Sequence, residues 1–180
     1  PFTEVLNKTA FRNHVLEAIR GKRADEKGTF FILDIDNFKI INDTCGHLVG
    51  DQVIMKVAAN LQNNLREEDL VGRIGGDEFC MYLNHISCIE DIEKNALRII
   101  DNIRNLNISK LQKQLTVSME ICIVDIEKDF EDIFMKADHA LYEAKANGRD
   151  QFVVYKNDYF SQIMQKKEKR KDRHEVTVND

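Results

Sequence analysis

Residues 70–83 read LVGRIGGDEFCMYL, and residues 29–34 read TFFILD. In the first stretch, Leu70–Ile74 and Phe79–Leu83 flank Gly75, Gly76, Asp77 and Glu78. A short glycine-bearing connection between two apolar runs predicts a β-hairpin. The second stretch is almost continuously apolar and rich in β-branched and aromatic residues, which predicts a strand buried on both faces. It ends in Asp34, and Asp36 follows two positions on, so both carboxylates start on one face while Ile35 points away. Carboxylates at the end of a buried strand are costly unless something uses them.

Outward from this pair, Phe11, Val15, Leu16 and Ile19 recur at helical spacing from about residue 8, with Gly21 as a stop. Phe38, Ile40 and Ile41 mark a short helix ending near Gly46, and Val53, Ile54, Val57, Ala58, Leu61 and Leu65 a longer one. Ser87 and Glu90 form a capping box ahead of Ile89, Ile92, Ala96, Ile99, Ile100 and Ile103, another amphipathic helix. Leu115–Val124 reads as a strand, residues 131–147 as a helix with Gly148 just past its end, and Gln151–Tyr155 as a last strand. The order α-β-α-α-β-β-α-β-α-β predicts an α+β fold. It matches a ferredoxin-like palm, with helices covering a central, mainly antiparallel sheet and the acidic turn on a β-hairpin. Residues 1–155 are expected to form this domain, and residues 156–180 a basic helical tail or linker.

The chain has 180 residues, 43% hydrophobic, with a single proline and no tryptophan, which is an ordinary globular composition. At this size the core needs neither disulfide nor structural metal. Cys45, Cys80, Cys88 and Cys122 show no zinc-ligand spacing, and buried reduced thiols in a cytoplasmic setting are the expectation. No apolar run is long enough to cross a bilayer, and the N-terminus lacks a signal-peptide layout. The chain begins at Pro1 and reads as a fragment, with any sensor or membrane anchor lying upstream. Residues 156–180 hold seven basic and five acidic side chains, whereas residues 1–155 hold 19 and 26. An acidic body argues against nucleic acid as a partner, since polyanion affinity comes mainly from cationic surface.

If the hairpin lies beside the Asp34 strand, Asp34, Asp36, Asp77 and Glu78 converge at one edge of the sheet. Hard oxygen ligands of this kind suit Mg²⁺ held together with substrate phosphates. Lys145 and Arg149 stand four apart at the end of a predicted helix, and Lys39 lies five residues after Asp34. These cations suit a triphosphate tail, arginine as a planar fork and lysine as a point charge.

Three separated motifs carry a family resemblance. They are Asp34, Ile35, Asp36, Phe38, Lys39, Ile41, Asn42, Asp43, Gly46, His47, Gly50 and Asp51; then Arg73 with Gly75 to Phe79; then Ala137, Asp138, Ala140, Leu141, Tyr142, Ala144, Lys145, Gly148 and Arg149. In this order and spacing they resemble the GGDEF family of bacterial diguanylate cyclases, from about residue 2 to about residue 155. The resemblance implies a nucleotide-cyclase palm and condensation of two GTP molecules into cyclic di-GMP, with release of two pyrophosphates. It implies Asp34, the Ile35 carbonyl and Asp77 as ligands of Mg²⁺, or of Mn²⁺ in its place, with Glu78, Asp77 and Asp34 carrying catalysis. Asn42 and Asp51 would read the guanine edge, while Lys39, Lys145 and Arg149 would bind phosphate. One palm would hold one GTP, so turnover would need a homodimer. Arg66 and Asp69, an R-x-x-D, stand where many members of the family carry an inhibitory cyclic di-GMP site. An upstream sensor domain, and in some architectures a downstream domain, would complete the protein.

The chain departs from the family pattern at Glu4 and Lys8, where glycine and arginine are usual, and at Glu120, where glycine is usual. Glu120 would either crowd the sheet edge or stand solvated on its strand. The rival reading is a catalytically silent GGDEF domain that binds GTP or cyclic di-GMP as a regulatory module; retention of Asp34, Asp77 and Glu78 counts against it.

Overall fold

The computed structural model describes residues 3–23, 26–85, 88–111, 113–124, 130, 134 and 148–155. Among them run β1 (Leu6–Asn7), α1 (Lys8–Arg20), β2 (Gly28–Ile35), α2 (Phe38–Cys45), α3 (His47–Asn63), β3 (Leu70–Arg73), β4 (Glu78–Asn84), α4 (Ile89–Arg104), β5 (Val117–Val124) and β6 (Phe152–Val154). The strands form one sheet in the order β1-β3-β4-β2-β5-β6. The β2–β4, β2–β5 and β3–β4 pairings are antiparallel, and the edge pairings β1–β3 and β5–β6 are parallel. The four central strands have ferredoxin-like order, so the α+β palm expected from the sequence is the fold observed. No helix among the described residues is long and apolar enough to cross a membrane.

All eight residues of β2 are buried because both faces of the sheet are covered. Phe31, Leu33 and Ile35 join Val53, Val57 and Leu61 of α3 and Ile92, Ile99 and Ile103 of α4 in one core. Phe30 and Ile32, on the alternate face, pack with Phe11, Val15 and Ile19 of α1. Asn7 caps α1, its Oδ1 accepting the Ala10 N–H at 2.9 Å, which satisfies one otherwise orphaned donor of the first turn. A β-carbon on Gly72 would lie 2.7 Å from Phe11, so glycine on β3 lets α1 close onto the sheet.

The structure departs from or sharpens the sequence reading in five places. The strand Leu6–Asn7 was not foreseen. Helix α3 begins at His47, well before Val53, because Gly46, with φ 86°, ends α2 and its carbonyl accepts the Val49 and Gly50 N–H groups at 3.0 and 3.2 Å. Ser87 lies outside the described residues, and the residue capping α4 is Cys88, whose thiol donates to Asp91 Oδ2 at 3.0 Å. Contrary to the expectation of buried thiols, Cys88 is exposed and Cys45 only half-buried, whereas Cys80 and Cys122 are buried; all four are free. Glu120 is fully buried, opposite Ile32 on β2 and Val153 on β6, so it is not a solvated strand residue. The helix expected over residues 131–147, including Lys145, and the tail over residues 156–180 lie outside the described residues.

Candidate active site

The β2–β4 register assembles the acidic end of the sheet. Asp34 stands directly opposite Glu78, and the Ile35 N–H donates to the Asp77 carbonyl at 3.1 Å. Directly opposed residues of antiparallel strands share a face, so Asp34 and Glu78 lie side by side. Asp77 occupies the turn beside them. Asp34 is only 6% exposed, while Asp77 and Glu78 are partly open. The hairpin thus sets Asp34 beside Glu78, with Asp77 in the adjoining turn, three of the four acids that the sequence singles out.

The turn itself is informative. Neither Gly75 nor Gly76 has a positive φ, so the backbone does not demand glycine at either position. A β-carbon on Gly75 would fall 2.5 Å from Glu78 Oε2, so this glycine makes room for the Glu78 carboxylate. Around Gly76 nothing lies within 4 Å of where a β-carbon would be. Arg73 fastens the turn, donating to the Gly75 and Gly76 carbonyls at 3.2 and 2.7 Å.

Asp36 has a different role from Asp34. It is buried, its Oδ1 accepts the Ser118 hydroxyl at 2.7 Å, and its Oδ2 accepts the Asp150 N–H at 3.0 Å. Asp36 therefore ties the turn carrying Arg149 to the end of β2. Arg149 is exposed and sits one residue from that tie. Lys39 is exposed in the first turn of α2. Lys145 lies outside the described residues, so the sheet end is seen with two of its three expected cations.

Asn42 on α2 stands against Gly50 of α3, the residue before Asp51. A β-carbon at Gly50 would stand 1.9 Å from Asn42 Oδ1 and 3.3 Å from Phe38, so the Asn42 amide occupies the space that a side chain at Gly50 would need. Asp51 follows it and is exposed. A groove of about 570 Å³ runs past Asp36, Asn37, Ile40, Lys110 and Leu115. It borders the acidic site but includes none of Asp34, Asp77 and Glu78, and the open end of a sheet does not require a deep cavity to hold a phosphate chain.

Arg66 and Asp69 line a separate polar cavity of about 190 Å³ together with Asn95 and Arg98 of α4. Asp69 accepts the Arg66 N–H at 3.1 Å and the Asn84 N–H at 2.9 Å. Burial nevertheless pushes its carboxyl above its ordinary value, outweighing both donors. Arg98 donates to the Asn64 carbonyl at 3.0 Å and to Asn95 Oδ1 at 2.7 Å. Sequence reasoning missed Arg98, Asp150 and Arg104, and it missed the packing role of Gly50; each matters through a partner distant in sequence, and no spacing signals it.

A family model described as diguanylate cyclase, GGDEF domain, matches residues 1–151. The chain is 34% identical over 160 residues to the probable diguanylate cyclase DgcT of Escherichia coli K12, covering 86% of this chain and 35% of that protein. It is 30% identical over 156 residues to the uncharacterized protein YtrP of Bacillus subtilis 168, covering 85% of this chain and 26% of that one. It therefore spans about a quarter to a third of the length of these relatives. Among solved structures, the GGDEF domain of TpbB (YfiN) from Pseudomonas aeruginosa matches with a TM-score of 0.79 at 28% identity, over 91% of this chain and 97% of that one. The GGDEF domain of DgcB from Caulobacter crescentus, solved in complex with c-di-GMP, matches with a TM-score of 0.75 at 26% identity, over 87% and 92%. The paired acids on β2 and the hairpin, the palm topology and the match over residues 1–151 agree: this chain belongs to the GGDEF family of diguanylate cyclase domains.

Proposed function

We propose that the chain is a diguanylate cyclase that condenses two GTP into cyclic di-GMP and two pyrophosphates, as a homodimer of half-sites. The observation that carries this reading is the juxtaposition of Asp34 with Glu78 and of Ile35 with Asp77 at one open sheet end. Among the described residues no group of three or more His, Cys, Asp or Glu side chains gathers to hold a metal unaided. The donor set proposed here is two carboxylates and a backbone carbonyl, and Mg²⁺ typically takes one or two carboxylates and completes its shell with water and substrate phosphates. Mn²⁺ accepts the same oxygen donors. Asp34, the Ile35 carbonyl and Asp77 would hold the ion, which when bound supplies neutralising charge to the phosphoryl oxygens and acidifies the attacking hydroxyl.

The remaining work belongs to the chain. Asn42 and Asp51 orient guanine, the carboxylate accepting from the base N1 and N2 donors. Lys39 and Arg149, with Lys145, grip the triphosphate. Glu78 stands at the attacking ribose 3′-hydroxyl, where a carboxylate can accept the proton. In each of two reactions a 3′-oxygen bonds to the α-phosphorus of the other GTP and the bond to the bridging oxygen breaks, so pyrophosphate leaves. One chain supplies one such set of groups, so two chains meet face to face. Product would return to the Arg66 and Asp69 cavity as a feedback inhibitor. The protein is expected to act in the cytoplasm, downstream of a sensor domain.

Incubation of the concentrated chain with GTP, ATP as competitor and Mg²⁺, followed by mass spectrometry, is expected to show cyclic di-GMP as the product. Asp77→Ala is expected to lower the rate by about 10²-fold or more, the scale seen when charge stabilisation of the reacting phosphate is removed. A variant that kept the parent rate would remove Asp77 from the metal site, and no product from the parent dimer would favour the silent regulatory module.

A further inference from the structure

We propose that Arg104, on α4, is a positioning residue that holds the turn from which Arg149 reaches the substrate phosphates. The inference rests on the phosphate-binding role proposed for Arg149. Gly148, Arg149 and Asp150 have φ of 109°, 63° and 50°, three successive residues in the left-handed region. Arginine and aspartate are sterically disfavoured there, so the turn persists only where its surroundings overdetermine it.

Two grips do so, one on the backbone of Asp150 and one on its carboxylate. Asp36 Oδ2 accepts the Asp150 N–H at 3.0 Å, and Asp36 is itself fixed by the Ser118 hydroxyl. On the other side the Arg104 guanidinium makes a two-pronged contact, Nε to Asp150 Oδ1 at 3.0 Å and Nη2 to Oδ2 at 2.9 Å. Its Nη1 donates to Asp101 Oδ1 at 2.8 Å, which anchors the guanidinium to its own helix. The Arg104 and Asp150 side chains are only 31% and 34% exposed, so their ion pair is partly shielded from water.

The consequence is geometric. Asp36 lies two residues from Asp34, at the acidic end of β2, and Arg104 lies at the end of the helix packed beneath the sheet. Between them they orient the backbone on which Arg149 stands, relative to the acids. A planar fork fixes direction as well as distance, which a lysine ammonium does not. Arg104 makes this contribution without touching the nucleotide.

The test is a double-variant cycle read by calorimetry, using a non-hydrolysable GTP analogue with Mg²⁺ and, separately, guanosine. Arg104→Gln is expected to weaken the analogue by about tenfold, the scale of a lost charged hydrogen bond, and to leave guanosine affinity unchanged. Arg149→Ala is expected to do the same, and the double variant to bind no more weakly than Arg149→Ala alone. Asp150→Asn, which keeps the N–H for Asp36 but removes the charge facing Arg104, is expected to reproduce the loss should Arg104→Gln fold poorly. Arg104→Lys is expected to recover little of it. Additive losses in the double variant, or equal losses for guanosine, would make the Arg104–Asp150 pair a structural tie and overturn the positioning role. Unchanged analogue affinity in both Arg104→Gln and Asp150→Asn, with a loss in Arg149→Ala, would overturn the positioning role alone. Parent affinity in Arg149→Ala would overturn the phosphate role with it.

Discussion

A β-carbon at Gly50 would lie 1.9 Å from Asn42 Oδ1, closer than any real contact, yet the atom it meets is the end of a short side chain. The fold can absorb Gly50→Ala only by swinging the amide aside and easing the Phe38 ring, 3.3 Å away, by a few tenths of an ångström, and alanine within α3 favours the helix by roughly 0.5–1 kcal/mol. The Asn42 amide, however, would be displaced from its place against α3. Gly50→Ala is expected to melt within a few degrees of the parent while binding a GTP analogue about tenfold more weakly. Thermal melts beside calorimetry check both halves, and unchanged affinity would remove Asn42 from guanine contact. The same position shows where reading residues one at a time stops. Asp34, Asp77 and Glu78 announce themselves because acids at a strand end and a hairpin turn are costly without a use. Asp36 resembles Asp34 in type and place, but its two oxygens are taken by Ser118 and the Asp150 N–H, partners that only the folded chain supplies.

Elements were legible in proportion to their burial pattern. The continuous apolar run of β2 and the regular isoleucines of α4 sit where their spacing places them, because two covered faces and one covered stripe leave distinct signatures. Two-residue β1 has no period to read and exists by pairing with the edge of β3. The first turn of α3 was hidden by Gly50 and by the exposed Leu48. The polar cavity beside Arg66 is likewise a property of elements, since the loop between α3 and β3 contributes Arg66 and Asp69 and α4 contributes Arg98. Arg66 is exposed, and its guanidinium reaches Glu68 only at 4.0 Å while Asp69 is held by the Arg66 backbone N–H, so truncating the side chain should cost the fold little. Calorimetry with cyclic di-GMP is expected to show Arg66→Ala binding about tenfold or more weakly than the parent, with an unchanged melt. Equal affinities would take Arg66 out of any product site.

At the scale of the whole molecule, the arithmetic of the proposed reaction exceeds what one chain holds. Cyclic di-GMP contains two nucleotides joined by two new bonds, whereas the described residues of each chain include a single acidic sheet end and a single Asn42 and Asp51 pair. The chain is also acidic, with a formal charge of −5, so two copies repel at long range. Association is therefore expected to limit turnover in dilute solution. At saturating GTP and Mg²⁺, the rate per chain should rise in proportion to chain concentration while monomers predominate, and level off once dimers form, since an assembly-dependent activity follows mass action. Measuring initial rates over a dilution series, with sedimentation on the same samples, tests this directly. A constant rate per chain across samples that sediment as monomers would show that one chain completes the reaction alone, and the half-site reading would fall while the family assignment stood.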